Sequence, residues 1–252
     1  MVNLQTLPYL WVVLRQKWHA RQDINELCRF TGKSKAEVEK LFWNKTLSQE
    51  AWAKADPQTE TEILQFYALN EEPIYTNLLW YVTDVAKYQS QFELLKFCKA
   101  HNVKTALDYG GGTGEYCIKL AKHGVNMTYC DVYGYTWNFS QWRFKQRNLN
   151  INMLRAGQDP FGKYDLIVCT DVLEHVKNPP KTLAILHNAL QSGGFLVATF
   201  PFDVRKPQHL EENVKYAQTI RATLNDMGFK PIGKGYFEFF QTSSSTKGKE
   251  GL

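Results

Sequence analysis

From about residue 100 onward, short apolar runs of strand length alternate along the chain with stretches of helical periodicity. Five runs have the length and composition of β-strands: one closed by Ala106 and Leu107, then Met127–Cys130, Ile151–Leu154, Tyr164–Thr170 and Gly194–Phe200. Helical patterns lie between or after them at Tyr116–Ala121, Ser140–Asn148, Lys181–Leu190 and Glu211–Met227. Hairpin-like runs over Lys230–Lys234 and Tyr236–Thr242 complete the pattern. Strands that alternate with helices predict an α/β fold with a doubly wound sheet.

The first hundred residues have the periodicity of helices rather than strands. Helices are predicted over Leu7–Trp18, Ile24–Phe30, Ala36–Trp43 and Gln91–Lys99. Asp23 is placed to cap the second of these helices. Ser34 and Glu37, three residues apart, form a capping-box pattern at the start of the third. The last helix is amphipathic and leads into the first strand.

We expect three regions along the chain. Residues 1–89 are predicted to form a helical lid or cap, residues 90–242 the α/β domain, and residues 243–252 a polar, disordered tail. Five of the seven tryptophans lie in the first region, which favours packing against the α/β domain over an independent unit. Residues 1–100 hold twelve basic and twelve acidic side chains, so a nucleic-acid-binding module there is not indicated.

A glycine-rich turn follows the first predicted strand. The strand ends at Asp108, and Gly110, Gly112 and Gly114 precede a helix. A dinucleotide fingerprint would need its third glycine at position 115, where Glu115 stands. A carboxylate on this turn would repel a pyrophosphate, whereas S-adenosylmethionine carries a sulfonium and an ammonium and no phosphate.

This D-x-G-x-G-x-G pattern resembles motif I of the class I S-adenosylmethionine-dependent methyltransferases. The resemblance implies a Rossmann-like, doubly wound seven-stranded sheet, here preceded by a helical extension. It also implies cofactor contacts from the turn, at Asp108, Tyr109, Gly110, Gly112 and Gly114. Asp108 would help to hold the ammonium of the cofactor through water or through the backbone. The glycines would let the main chain approach the ligand closely.

A second, independent signal lies at the end of the second predicted strand. Asp131 stands 21 residues after Gly110, where a carboxylate accepts two hydrogen bonds from the ribose diol. Val132 suits an apolar contact with adenine. The loop after the third strand would read the adenine edge through Asp159, with Gln158 as the amide alternative.

The fourth predicted strand runs into the string D-V-L-E-H-V at residues 171–176, followed by N-P-P. This string resembles the fourth-strand motif of the ubiquinone- and menaquinone-type small-molecule methyltransferases and is the most specific motif in the chain. The resemblance implies cofactor contacts from Thr170 and Asp171 and a small-molecule methyl acceptor.

Two histidines are candidates for a general base, since an imidazole near neutral pH can take a proton from the acceptor. His175 follows the fourth strand, and His209 lies in the loop after the fifth. His175 has an alternative role in orienting Asp171 or packing under the cofactor, and His209 has an alternative as an ordinary surface residue. Glu174 is a third, weaker candidate for the base.

Composition limits the cellular compartment, the metal sites and the disulfides that can be expected. The chain of 252 residues has a formal net charge of +5 and five scattered cysteines without a C-x-x-C pair. We therefore expect no zinc site or other metal, no disulfide framework and a reducing compartment. Leu7–Leu14 is too short to span a bilayer, and basic residues follow it rather than precede it. These features predict a cytoplasmic protein without a membrane segment; the sequence does not predict its oligomeric state.

The leading hypothesis is methyl transfer from S-adenosylmethionine to an O, N, S or C atom of a metabolite. One rival is an RNA or protein methyltransferase that uses residues 1–89 for recognition, and another is a catalytically silent cofactor-binding partner. The basic residues Arg143, Lys145 and Arg147 suggest either a phosphate-binding patch or a solvated helix face, and we expect the solvated face.

Overall fold

A computed structural model describes residues 7–158, 162–203 and 208–243. Its centre is a seven-stranded sheet with the strand order β3-β2-β1-β4-β5-β7-β6. The strands are β1 (Thr105–Tyr109), β2 (Asn126–Asp131), β3 (Asn152–Arg155), β4 (Tyr164–Cys169), β5 (Leu190–Ala198), β6 (Phe229–Lys234) and β7 (Glu238–Thr242). The first five run parallel, and β7 is antiparallel to both β5 and β6. The predicted doubly wound seven-stranded sheet is confirmed.

Both faces of the central strands are covered, which explains their continuous apolar runs. In β1 and β4, Leu107 and Ile167 lie in one apolar cluster, while Ala106 and Val168 lie in the cluster on the other face. The helices of this part are α7 (Glu115–Ala121), α8 (Tyr135–Gln146), α9 (Pro179–Ala189) and α10 (Tyr216–Asp226). The carboxyl ends of the parallel strands therefore meet at one edge of the sheet, where ligands bind in such folds.

Two elements differ from the predicted boundaries for identifiable reasons. Helix α8 starts at Tyr135 rather than Ser140, since Trp137 and Phe139 are already buried against the protein. The helix predicted over Glu211–Met227 is divided into a short 3₁₀ turn, Glu211–Asn213, and α10. Asn213 is drawn inward there because its side-chain amide donates to the carbonyls of Leu173, Glu174 and Val176.

Six helices precede the sheet: α1 (Leu7–Thr31), α2 (Lys35–Phe42), α3 (Leu47–Ala55), α4 (Glu60–Leu69), α5 (Glu72–Thr83) and α6 (Val85–Ala100). The Ser34–Glu37 capping box of α2 is confirmed. The predicted break at Asp23 is wrong, because α1 continues through it and the Asp23 carboxylate pairs with Arg143 instead of capping a helix. A charge that looks like a cap in sequence is here satisfied by a distant partner.

The N-terminal helices share a core with the α/β domain. Ile24, Leu27, Ile74 and Leu78 pack together with Phe139 of α8, so α1 and α5 are anchored on that helix. All five cysteines are free. Among the helices in the described ranges, none combines the length and the apolar character required to cross a bilayer.

Candidate active site

The glycine-rich turn leaves β1 in a conformation that suits glycine. Gly110, Gly112 and Gly114 have φ angles of 70°, 54° and 80°, in the left-handed region. The N–H groups of Gly110 and Gly111 donate to the carbonyl of Cys130 at 2.8 and 3.1 Å, which ties the turn to β2. A Cβ at Gly110 would lie 2.3 Å from Val172, and one at Gly114 would lie 2.6 Å from Phe144. Side chains are therefore excluded from both positions on steric grounds as well.

Three side chains from two elements, β2 and α8, hold the carbonyl groups of this turn. The hydroxyls of Tyr129 and Ser140 both donate to the carbonyl of Gly112 at 2.7 Å. Arg143 donates to the carbonyl of Thr113 at 2.7 Å. Because the carbonyls are occupied by the protein, the turn is fixed before any ligand arrives.

Asp131 lies at the end of β2 against the turn, as predicted. Its carboxylate accepts the N–H of Gly112 at 2.7 Å and that of Val132 at 2.6 Å. Burial raises the pKa of Asp131 to about 6, and these backbone hydrogen bonds act in the opposite direction. Each carboxylate oxygen has a second acceptor site, so the group can still receive two hydroxyls.

Asp108 is buried beside the glycine turn. Burial raises its pKa to about 7, and a contact with Cys117 partly offsets the shift. Its Oδ2 atom has no hydrogen-bond partner among the described residues. A buried acceptor without a donor fits a ligand ammonium, or a water bound by one, so the site suits the predicted cofactor.

The region predicted to contact adenine is partly described. Val132 is half-buried after Asp131, and Tyr133 beside it is exposed, with the guanidinium of Arg155 4.0 Å from its ring centroid. The Gln158 side chain is turned back onto its own loop, where it accepts the N–H of Arg155 at 2.8 Å. Asp159 lies outside the described residues.

Thr170 and Asp171 follow β4 at the same edge of the sheet. Asp171 has a left-handed φ of 54° and lies 2.5 Å from the ammonium of Lys87 on α6. The hydroxyl of Thr199 donates to the same carboxylate at 3.0 Å. Burial alone would raise the pKa of Asp171, but Lys87 and Thr199 outweigh it and lower the pKa below its usual value. The lysine was not predicted from sequence.

Glu174, His175 and His209 form one cluster. His175 Nε2 lies 3.7 Å and His209 Nε2 3.8 Å from Glu174 Oε1, and the two imidazole rings are 5.0 Å apart. His175 Nδ1 is 2.8 Å from the carbonyl of Gln208, so it carries the proton and leaves Nε2 as an acceptor. Burial lowers the pKa of His175 to about 4, and His209 adds to the shift. His175 is therefore a neutral imidazole at physiological pH.

Helix α4 supplies an aromatic side chain to this cluster. The hydroxyl of Tyr67 lies 3.3 Å from the Gln208 side-chain oxygen, to which it donates, and the ring lies 6.2 Å from that of His175. The N–H of Leu210 donates to the Glu174 carbonyl at 3.0 Å and keeps the loop after β5 against the 3₁₀ turn. Thus the N-terminal helices complete the wall around the two histidines.

The same cluster can hold a metal ion. One ligand atom from each of Glu174, His175 and His209 lies within 4.8 Å of the other two. Carboxylate and neutral imidazole are ordinary ligands of divalent transition metals. No metal was predicted from the sequence, because that prediction was based on cysteine spacing. The proximity of His209 to Glu174 and His175 is visible only in the folded chain.

The methyltransferase domain family matches residues 84–230, which is more than half of the chain. The chain belongs to this family. The methyl donor of the family is S-adenosylmethionine, so the resemblance found in motif I is confirmed. The match begins at the residue that caps α6 and leaves α1 to α5 outside it.

Individual relatives agree with this membership. The chain is similar to the ubiquinone biosynthesis O-methyltransferase of Saccharophagus degradans, with 26% identity over 96 residues, 36% of this chain and 41% of that protein. Thus the alignment spans about two fifths of the curated relative's length.

Two solved structures share the fold. An S-adenosylmethionine-dependent methyltransferase from Clostridium acetobutylicum has a TM-score of 0.51 at 14% identity, covering 64% of this chain and 94% of that one. Magnesium protoporphyrin IX methyltransferase from Synechocystis has a TM-score of 0.50 at 19% identity, covering 80% and 93%.

Within this methyltransferase, the carboxyl ends of the parallel strands bring most predicted site residues together. The glycine turn follows β1, Asp131 ends β2, Asp171 with Glu174 and His175 follows β4, and His209 lies in the loop after β5. Lys87, Tyr67 and Arg143 were not predicted as site residues. Arg143 was expected on a solvated face, which is wrong, since its side chain is only 2% exposed.

Proposed function

We propose that this methyltransferase transfers the methyl group of S-adenosylmethionine to an oxygen atom of a small-molecule acceptor. The observation that carries the proposal is the cluster of Glu174, His175 and His209, which directly follows the strand end occupied by Asp171. A buried carboxylate and two imidazoles are suited to a hydroxyl that must lose a proton.

The cofactor would be held by residues already in position. Asp131 would accept the ribose hydroxyls, and the turn from Gly110 to Gly114 would lie against the ligand. Asp108 offers an unpartnered, buried acceptor toward a positively charged group. When bound, S-adenosylmethionine supplies an electrophilic methyl group on a positively charged sulfur. The protein's main contribution is then to keep the acceptor oxygen in line with that methyl group.

The two histidines would interact with the hydroxyl group of the methyl acceptor. The Nε2 atom of His175 is an unprotonated acceptor, because its pKa is lowered to about 4 and its Nδ1 proton faces the Gln208 carbonyl. Such a nitrogen can orient a hydroxyl proton over a wide pH range, although its low basicity limits full proton removal. His209 stands across from it with Nε2 toward the same glutamate.

Oxygen is favoured over the other nucleophiles by the relatives. The curated relative described above is named an O-methyltransferase. Its name does not favour the RNA or protein alternative, and the helices α1 to α5 do not carry the basic excess that nucleic-acid binding requires. Transfer to nitrogen, sulfur or carbon would be an outcome of the same test.

A second role for the cluster is favoured by its geometry. Three ligand atoms within 4.8 Å of one another fit a divalent cation. Such a cation would supply Lewis acidity that lowers the pKa of an acceptor hydroxyl. The residues that would hold it are Glu174, His175 and His209.

The test is turnover of methyl-labelled S-adenosylmethionine against a metabolite extract, with products identified by mass and fragmentation. An O-methylated product supports the proposal, and the absence of any labelled product despite saturating cofactor contradicts it. Repeating the assay after dialysis against a chelator, then with added Mg²⁺ or Zn²⁺, separates the two roles. Activity that is lost and restored assigns the cation role, whereas unchanged activity assigns the histidines alone.

A further inference from the structure

A buried charge cluster lies where α8 meets α1 and the start of α7. It contains five side chains: Asp23, Glu26, Glu115, Arg143 and Arg147. The side chain of Arg143 is only 2% exposed, and those of Asp23 and Glu26 are each 9% exposed. None of these residues belongs to the cofactor or acceptor contacts described above, so the cluster needs another explanation.

Arg143 is bonded to four groups in two separate parts of the chain. Its Nη1 atom donates to the Thr113 carbonyl at 2.7 Å and to the Glu115 carboxylate, both next to the glycine turn. Its Nε atom donates to Glu26 at 2.9 Å, and Nη2 donates to Asp23 at 3.4 Å, both on α1. A guanidinium has donors in a fixed planar fork, so one side chain can hold all of these groups at once.

The acidic residues of α1 are needed to keep this guanidinium in the interior. A buried charge is tolerated only when it is paired and hydrogen-bonded. Helix α1 supplies two of the three carboxylates around Arg143, and Glu26 also pairs with Arg147. Without them, Arg143 would retain only Glu115 as a carboxylate partner and would gain by turning toward water.

The hydrogen bond from Arg143 to the Thr113 carbonyl connects the buried ion pairs to the glycine turn. Thr113 lies between Gly112, whose N–H donates to Asp131, and Gly114, the N-cap residue of α7. Glu115, predicted to repel a pyrophosphate, has its carboxylate bound by Arg143 instead. If Arg143 moved, the Thr113 carbonyl would lose its donor. The glycine turn would then be held less firmly between Gly112 and Gly114.

We propose that Arg143 is a positioning residue that couples the docking of α1 to cofactor binding. The inference rests on the proposed function, since it assumes that the turn binds S-adenosylmethionine. Helix α1 then contributes to cofactor affinity without touching the ligand. Coupling between two sites is reciprocal, so cofactor binding also stabilises the docking of α1.

The test is calorimetric titration of S-adenosylhomocysteine into the 252-residue protein and its variants. Glu26→Gln retains the side-chain shape and removes the charge; we expect affinity to fall by about tenfold. Activity at saturating S-adenosylmethionine should stay near that of the wild type, because the acceptor end is unchanged. The matched control is Glu238→Gln, which breaks the surface ion pair with Arg221 and should leave affinity unchanged.

A purely structural role would lower the melting temperature of Glu26→Gln and leave the affinity of the folded protein as it was. Asp23→Asn provides a milder variant if Glu26→Gln does not fold. In the wild type, S-adenosylhomocysteine should slow amide hydrogen exchange in peptides covering residues 17–31. Suppose that the wild type binds S-adenosylhomocysteine, that Glu26→Gln binds it equally well, and that the ligand leaves hydrogen exchange in residues 17–31 unchanged. That result overturns this inference and leaves the proposed function intact. Failure of the wild type to bind the ligand overturns the proposed function, and this inference with it.

Discussion

At the scale of single residues, Asp131 has to serve two sets of donors with one carboxylate. Its oxygens accept the N–H groups of Gly112 and Val132, which fixes the side chain at the end of β2. The remaining acceptor sites would receive the ribose hydroxyls. Because the backbone already fixes the Asp131 side chain, cofactor binding costs little additional side-chain entropy.

We expect Asp131→Ala to remove most of the affinity for S-adenosylhomocysteine, because both ribose contacts and the anchor of the turn are lost together. Calorimetry measures the change, and Asp226→Ala at the end of α10 serves as a remote control. Unchanged affinity in Asp131→Ala, or tight binding of NAD to the wild type, would contradict the assignment.

Cofactor affinity should also depend on pH through the same residue. The pKa of Asp131 in the free protein is raised to about 6, and only the ionised carboxylate accepts both hydroxyls. The ligand therefore favours the deprotonated form, so affinity should decline as pH falls through 6. Titrations between pH 5 and 8 check this, and an affinity that rises on acidification would be inconsistent with it.

His175→Ala and His209→Ala should each lower kcat by ~10²-fold or more, the size expected for losing a group that handles the acceptor proton. Affinity for S-adenosylhomocysteine should stay nearly unchanged, which calorimetry can verify beside the steady-state assay. If both variants keep wild-type kcat from pH 6 to 9, the histidines do not take part and positioning alone accounts for the rate.

At the scale of elements, helix α4 contacts both the turn after β2 and the loop that carries Gln208. A Cβ at Gly134, in the turn between β2 and α8, would lie 2.2 Å from the carbonyl oxygen of Ala68 on α4. Tyr67, the preceding residue, contacts Gln208 beside the histidines. Position 134 therefore sets how closely α4 approaches both regions.

We expect Gly134→Ala to displace α4 and to raise the KM for the acceptor, since even a methyl group overlaps the backbone of Ala68. Hydrogen exchange in Glu60–Leu69 should increase in the same variant. Gly233→Ala is the control, because its added Cβ makes only an ordinary contact, 3.8 Å from Phe239. Wild-type KM together with wild-type exchange would show that α4 does not shape the acceptor pocket.

At the scale of the whole molecule, the helices outside the family match are not packed as a separate body. Residues of α1, α2 and α5 share a core with Phe139 of α8, and Arg143 on the same helix is paired with α1. Lys87 of α6, just inside the family match, pairs with Asp171 after β4. The proposal that residues 1–89 act as a lid accords with these contacts.

A truncated chain that begins at Asp84 should therefore expose apolar surface around Phe139 and lose acceptor turnover. Binding of a hydrophobic dye and the labelled-methyl assay measure the two effects. A soluble truncated protein with full activity would refute the lid proposal.

The sequence by itself determined the alternation of strands and helices, the glycine turn, Asp131 at the end of β2 and the loops that carry the two histidines. These features depend on short-range causes: alternation of apolar residues, turn chemistry and the rule that parallel strands end at one edge. Boundaries were less accurate where packing intervened, as at Tyr135 and Asn213.

Only the tertiary structure decided which side chains complete the site. Lys87 and Asp171 are separated by 84 residues, Glu26 and Arg143 by 117, and Tyr67 and Gln208 by 141. No periodicity or local motif spans such separations. Glu26, Tyr67, Lys87 and Arg143 each have the sequence context of an ordinary helix position, and the role of each follows from the partner that folding places beside it. Burial then makes that partner obligatory, because an unpaired charge or polar group in the interior is costly.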